Sequence, residues 1–366
     1  VGVILMTNEQ LIQDMSKEQW IKRWAGSYTF ISCSYWAPDY DEILGKVLGV
    51  GFKTSLFVHK RGAVTFLLRK NDLENFSKFL ATKAESDQGF AIELLTKVKN
   101  NTTELMMIMH ELEGKIPSLD EYNSFLKVFE RHLAYHNFMK KAVDYLSDHV
   151  LDVLLPYFKD ARLYSEPVYS RTEIFFRKLA ETIAEKEGNY TKDLLTCLTQ
   201  EELELYLQEG TLPEIEILEK RFEASAIYYC NGELKILTGE DVDKIEDAIL
   251  ESNDEVDSNN GELKGITAYP GKVKGICRVV PDPFDVHDFD EGDILVTGMT
   301  RPEFVPLMKK AAAIVTDVGG KLCHAALSAR EMQLPCIVGT EKATKVLKDG
   351  EMIEVDADNG VVRKVK

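Results

Sequence analysis

Cysteine is sparse and scattered. The six thiols (Cys33, Cys197, Cys230, Cys277, Cys323, Cys336) lie far apart in 366 residues, with no CxxC pair among them. That spacing argues against a disulfide framework or a zinc site and fits reduced thiols in a cytoplasmic protein. Positive charge is also short. The formal net charge is −17, which argues against a nucleic-acid or anionic-membrane surface. No apolar run reaches the ~20 residues of a membrane span. The opening VGVILM is apolar but too short for a signal peptide. A glycine-rich phosphate loop is missing as well, since Gly49–Phe52 (GVGF) is too short and lacks the surrounding pattern. The chain begins on Val1. Either Met6 is the natural start behind an added leader, or the chain is a piece of something longer.

What is present is a sequence whose periodicity changes along its length, at an ordinary apolar content of 45%. We read a multidomain α+β protein. Residues 1–88 form a mixed α/β N-terminal region: an aromatic-rich SYTFISCSYW destined for the core, SLFVHK and AVTFLLRK as strands around Arg61-Gly62, and a helical NDLENFSKFLATKAE. Residues 89–250 form a mostly helical domain, with Thr199 capping a helix three residues before Glu202. Near its end, AIYYC and ELKIL flank Asn231-Gly232, a hairpin signal. Residues 251–263 (ESNDEVDSNNGEL) are acidic, polar and turn-rich and predict an exposed, mobile linker. Residues 264–366 form a separate α/β domain: GITAY, KGICRVV, DILVTG, AAIVT, PCIVG, MIEVD and VVRKV as strands, with helical segments at PEFVPLMKKA and HAALSAREM.

The chemistry concentrates in TDVGGKLCHAALSARE, Thr316 to Glu331. A buried strand should end at Thr316, Gly319-Gly320 permits turns closed to other residues, and His324 should open a helix. Unpaired N–H groups and the positive dipole end gather at a helix start. They favour a phosphate and disfavour a protonated imidazole. A neutral imidazole is a competent nucleophile, so the position suits a histidine that accepts and carries a phosphoryl group. A histidine simply satisfied at a helix start is the competing reading.

The string resembles the phosphohistidine signature of phosphoenolpyruvate-utilising enzymes of the phosphoenolpyruvate synthase and pyruvate phosphate dikinase type. Thr316, Gly319, Gly320, Cys323, His324, Ala325, Ala326, Ala329 and Arg330 match it. The flanks match too: AYPGKVKGICRVV, TRPEFVPLMKKAAAIVT, LPCIVGT and GEMIEVDADNGVV. The resemblance implies a swivelling β/β/α domain at the C-terminus, with His324 as the phosphohistidine and Thr316 orienting its imidazole. It places Gly319, Gly320, Lys321, Cys323 and Arg330 around the phosphate. Lys321 stands where many members carry arginine, which keeps the charge but loses bidentate contact. Cys323 stands where serine alternates, so a packing or hydrogen-bonding role competes with a reactive thiol. Arg330 and Glu331 either approach the phosphate or simply pair and pack.

A more distant resemblance links residues 89–249 to the helical domain of rifampicin phosphotransferase-like proteins, through EPVYSRTEIFFRKLAETIAE, DLLTCLTQEELELYLQEG, Arg221 and ELKILTGED. The Gly-His-Arg motif of that family's acceptor site is absent, and FERHLAYHNF stands near its place. The family's ATP-grasp domain and phosphoenolpyruvate-binding barrel have no counterpart in the chain. The implied protein is therefore a phosphotransferase component. Its donor, ATP or phosphoenolpyruvate, would sit on a partner domain or protein, where Mg2+ is expected, and no cofactor is expected on this chain alone. A small-molecule acceptor is compatible with this reading. The alternative is a non-enzymatic phosphocarrier or regulatory module that docks a partner protein. His132 and His136, four apart on a helix, could share a metal but lack a third ligand, so packing is favoured. The acids Asp282, Asp285, Asp288 and Asp290 have the wrong spacing for a calcium loop and read as solvated.

Overall fold

The computed structural model describes residues 7–254, 262–284, 286 and 288–365. Contacts divide the chain into two units, Val1–Val256 and Asp257–Lys366.

The first unit is built on a five-stranded antiparallel sheet. Its strands are β1 (Trp20–Ser27), β2 (Thr54–Lys60), β3 (Ala63–Arg69), β4 (Ser225–Cys230) and β5 (Glu233–Thr238), in the order β1-β3-β2-β4-β5. Two hairpins turn on residues with positive φ, Arg61-Gly62 (46° and 81°) and Asn231-Gly232 (50° and 90°). Such two-residue turns match the right-handed twist of the strands they join. One sheet face packs Leu56, Val58, Ala226 and Tyr228 against the helices Asn8–Met15 and Glu240–Asp254. Long helices fill the chain between β3 and β4: Lys70–Ser86, Gln88–Leu112, Leu119–Lys141, Asp148–Ser165 and Val168–Glu187. Their apolar faces bury Phe125, Phe129, Phe138, Phe158 and Phe176 completely.

The boundary expected at residue 88 is not where the contacts divide. Residues 225–238, read with the helical domain, pair β4 to β2 from Thr54↔Cys230 to His59↔Ser225. A strand's partner beyond β3 and a long run of helices leaves no local signal, so the hairpin is visible in the sequence and its sheet is not. The expected linker also changes character at its ends. Residues 251–254 continue the last helix of the first unit and 262–264 form a strand, while 255–261 lie outside the described residues.

The aromatic segment forms the helix Phe30–Asp39, entirely buried from Phe30 to Ala37. Its start is capped from a distance. Glu173, itself buried, accepts hydrogen bonds from the Thr29 amide and the Ser32 hydroxyl. Burial pushes the Glu173 carboxyl from 4.5 up to about 7, against the lowering effect of those hydrogen bonds. A carboxyl whose folded-state value is raised favours folding while it is protonated. Its contribution is complete below about pH 4.5 and is lost as pH rises through 7. Ionisation should therefore cost the folded state on the order of 3 kcal/mol. Glu173→Gln should remove that decline. Urea unfolding at pH 6 and pH 8 should show a smaller loss of stability for the variant than for the wild type.

The second unit is an eight-stranded mixed sheet in the order β6-β13-β12-β8-β9-β10-β11-β7. The strands are β6 (Glu262–Lys264), β7 (Ile266–Tyr269), β8 (Lys272–Val279), β9 (Ile294–Thr297), β10 (Ala313–Thr316), β11 (Cys336–Val338), β12 (Met352–Asp356) and β13 (Val361–Lys364). Strands β8 to β11 run parallel and the flanking pairs antiparallel. The three central strands β9, β10 and β11 are buried at every position, as parallel strands covered on both faces must be. One core sits behind them around Ile294, Val296, Val315 and Ile353, another in front around Leu295, Ile314, Ala326 and Val338.

Candidate functional site

The site lies at the carboxyl ends of β9, β10 and β11, where parallel sheets commonly place their ligands. Backbone hydrogen bonds continue past the strands and tie these ends together. Asp317 and Val318 donate to the Thr297 and Gly298 carbonyls (3.1 and 2.9 Å), and Thr340 and Glu341 donate to Thr316 and Asp317 (3.0 and 2.9 Å). The Asp317 carboxylate also accepts from the Thr344 amide at 3.1 Å and from the Thr344 and Thr340 hydroxyls. The loop that leaves β10 is thus held from both sides.

Gly319 sits at φ +143°, and a Cβ there would come within 2.8 Å of the Cys323 sulfur. Only glycine allows the chain to turn this close to the start of the next helix. Cys323 then caps that helix, His324–Met332: its Sγ accepts from the Ala326 amide at 3.4 Å and its own amide donates to the Gly320 carbonyl at 2.9 Å. The thiol fills the position that a serine hydroxyl would occupy as an N-cap. It plays the hydrogen-bonding role weighed against reactivity.

His324 is the first helical residue and is half-buried. The Thr300 hydroxyl, on the segment leaving β9, lies 2.9 Å from its Nδ1. The resemblance implies Thr316 as the orienting hydroxyl; the Thr316 side chain is buried and donates to the Val318 carbonyl at 2.9 Å. Thr300 was missed because it stands 24 residues upstream, on the segment that leaves a different strand. The parallel pairing of β9 with β10 delivers it to the histidine. Arg330, one of the presumed phosphate ligands, donates from Nη1 to the Lys321 carbonyl at 2.6 Å and so braces the loop from inside. Lys321 is largely buried. Gly319 and Gly320 meet Cys323 at the start of the His324 helix, with Thr316 at the end of β10, Lys321 in the loop and Arg330 on the helix.

In the tautomer that carries its proton on Nδ1, donated to the Thr300 hydroxyl, the lone pair of the ring lies on Nε2. A helix start disfavours imidazolium and favours an anion.

Residues 289–360 match the family model described as "PEP-utilising enzyme, mobile domain". The second unit is a phosphoenolpyruvate-utilising mobile domain. Its relatives include a probable phosphoenolpyruvate synthase of Archaeoglobus fulgidus, 41% identical over 169 residues, which cover 45% of this chain and 22% of that protein. The Pyrococcus furiosus phosphoenolpyruvate synthase is 45% identical over 135 residues (37% of this chain, 16% of that protein). A probable phosphoenolpyruvate synthase of Staphylothermus marinus is 50% identical over 102 residues (27% and 12%). The chain therefore matches less than a quarter of the length of each of these relatives.

Around the mobile domain's histidine, Met299 and Val318 are large apolar side chains left exposed, at 60% and 55%. Of the acids in the 282–290 loop, Asp282 accepts from the Phe284 amide at 3.1 Å and lies 3.8 Å from Arg301, Asp288 and Asp290 are exposed, and Asp285 lies outside the described residues. Among the described residues no group of three or more His, Cys, Asp or Glu side chains is arranged to hold a metal ion. No helix among them is long and apolar enough to cross a membrane.

Proposed function

We propose that this chain is a phosphotransferase component in which His324 carries a phosphoryl group between a donor bound elsewhere and an acceptor. The single observation that carries the reading is the Thr300–Nδ1 contact on a histidine at the start of a helix inside the signature. The Nε2 lone pair attacks the phosphorus of the donor. A P–N bond forms, the P–O bond to the leaving group breaks, and its electron pair departs on that oxygen. In the second step an acceptor hydroxyl attacks the same phosphorus, the P–N bond breaks, and its electron pair returns to Nε2. The acceptor's proton leaves to a base on the acceptor side. The donor is ATP or phosphoenolpyruvate on an ATP-grasp or phosphoenolpyruvate-binding partner, where Mg2+ would neutralise the phosphates. Phosphate contacts from Lys321 and Arg330, and a cytoplasmic setting, belong to this proposal.

The named relatives, which are phosphoenolpyruvate synthases, support a transferring role over a purely regulatory one. The test is phosphorylation of the intact chain by a phosphoenolpyruvate synthase whose own mobile domain has been inactivated, followed by mass spectrometry. Uptake of one phosphoryl group supports the reading. No uptake from either donor, with the synthase's nucleotide domain shown to be active, overturns it.

Thr300 provides a graded check. Removing one hydrogen bond that orients the ring should cost about 1 kcal/mol, or roughly fivefold in the phosphorylation rate. Thr300→Val should show that loss and Thr300→Ser should recover it. Equal rates for all three chains in rapid-quench assays would remove Thr300 from the mechanism.

A further inference from the structure

The helix Leu119–Lys141 places His132, His136 and Lys140 at successive four-residue steps, hence on one face. The face runs from the core toward the surface. His132 is fully buried, whereas His136, Lys140 and the adjacent Lys141 are half-buried. Tyr169, from the helix Val168–Glu187, lies across it with its ring 4.8 Å from His136 and 6.1 Å from His132. Trp36 closes the inner end, 5.8 Å from Tyr169.

Two features of this face call for a ligand. First, its buried polar atoms lack protein partners: both nitrogens of His132, Nδ1 of His136 and Nε1 of Trp36 make no hydrogen bond. Buried polar atoms are nearly always bonded, so such a concentration needs an explanation. Second, the charge is of one sign. Arg23 from β1 and Arg162 act on the lysines Lys140 and Lys141 here, opposed by Asp144 and Glu166. Glu166 already lies 3.8 Å from Arg162. Neither Lys140 nor Lys141 has a carboxylate within ion-pair distance among the described residues. In a chain of net charge −17 this local surplus of cations is out of character. Withdrawing unpaired cations from water is costly unless an anion accompanies them. The same surplus disfavours a metal ion between His132 and His136.

We propose that this face binds the phosphate group of a small molecule, with Lys140 and Lys141 supplying the charge, and His136, Tyr169 and the inner donors closing over it. The site belongs to the first unit and is independent of His324. The titration of the face agrees with it. Burial, with Arg162 and Arg23 nearby, lowers Lys140 to about 8, and burial, Arg23 and Lys140 hold Lys141 well below its ordinary value. Burial holds His132 at about 4 and His136 well below its ordinary value, so both rings stay neutral and each keeps an N–H to donate. A bound dianion favours the charged lysines. Binding should therefore take up protons above about pH 8 and weaken as pH rises through that value.

The test is calorimetric titration of the full chain with inorganic phosphate at constant ionic strength. One saturable site with Kd below about 1 mM is expected. It should survive in His324→Ala, weaken about tenfold or more in Lys141→Met and in Lys140→Met, and be partly retained in Lys141→Arg. Sulfate, a dianion throughout the range, should bind more weakly at pH 9 than at pH 7, with a heat that depends on the buffer because protons are taken up. Without any anion, Lys141→Met should be at least as heat-stable as the wild type, since a desolvated cation has been removed. Absence of a saturable site overturns the proposal. So does phosphate affinity unchanged in both lysine variants, or binding lost in His324→Ala, which would place the ion at the mobile domain's helix.

Discussion

His324→Ala should take up no phosphoryl label from any donor system that labels the wild type. Alanine is the best residue for a helix interior, and the N-cap of that helix is the Cys323 sulfur, which the substitution leaves in place. The variant should therefore fold, and its loss should be one of chemistry, because it removes the imidazole that the Thr300 hydroxyl meets. His132→Ala should label fully, because that ring is shut inside the first unit. The label on the wild type should be acid-labile and stable to alkali, as a phosphorylated imidazole is. Label that survives in His324→Ala, or that resists acid, would move the carrier to another residue.

The second large effect is on stability. Arg221 lies on the helix Ile215–Glu223 that leads into β4. Its guanidinium holds both oxygens of Glu202 at 2.6 and 2.9 Å, donates to the Cys197 carbonyl at 3.3 Å and stacks 5.6 Å over the Phe30 ring. Only 11% of the Arg221 side chain and 23% of the Glu202 side chain are exposed. Arg221→Ala strands a mostly buried carboxylate, opens the contact with Phe30 and unties the capping box Thr199–Glu202 from its neighbour. Removing one partner of such a pair costs about 3–5 kcal/mol. At roughly 2–4 °C per kcal/mol for a unit of this size, the thermal midpoint of the first unit should fall by about 10 °C. Arg221→Met with Glu202→Leu, which removes both charges, should recover much of the loss. Calorimetry showing Arg221→Ala within 2 °C of the wild type, roughly the effect of 1 kcal/mol, would mean that the pair is screened and idle.

What the sequence disclosed follows the range of the forces involved. The phosphohistidine helix, its double glycine and its strand were legible because each depends on residues within a few positions. Gly319 needs an unusual φ, Cys323 caps three residues ahead, and β10 is an unbroken apolar run. Both hairpins were legible for the same reason, Arg61-Gly62 and Asn231-Gly232 carrying their turns locally. Thr300 and the pairing of β2 with β4 were not, since strand order brings each to its partner and nothing near either residue records that order. His132 and His136, four apart on one helix, were legible as a pair sharing a face. Of the basic side chains that give their surroundings a sign, Lys140 and Lys141 share their helix, but Arg23 on β1 and Arg162 on the helix Asp148–Ser165 are brought there by the fold.

The first and last strands of the second unit lie side by side. β6 pairs antiparallel with β13, Val361↔Lys264 to Arg363↔Glu262. The chain therefore enters and leaves this fold at neighbouring points on one edge of the sheet. A module wired in this way can be spliced into a loop of another protein without prising that loop apart, as insertions with adjacent ends generally can. It should also tolerate having its two ends joined and new ones opened in a distant surface turn. Portability is thus built into the pairing of the first strand with the last, from which the chain passes through Gly265 directly into β7 and its pairing with β11.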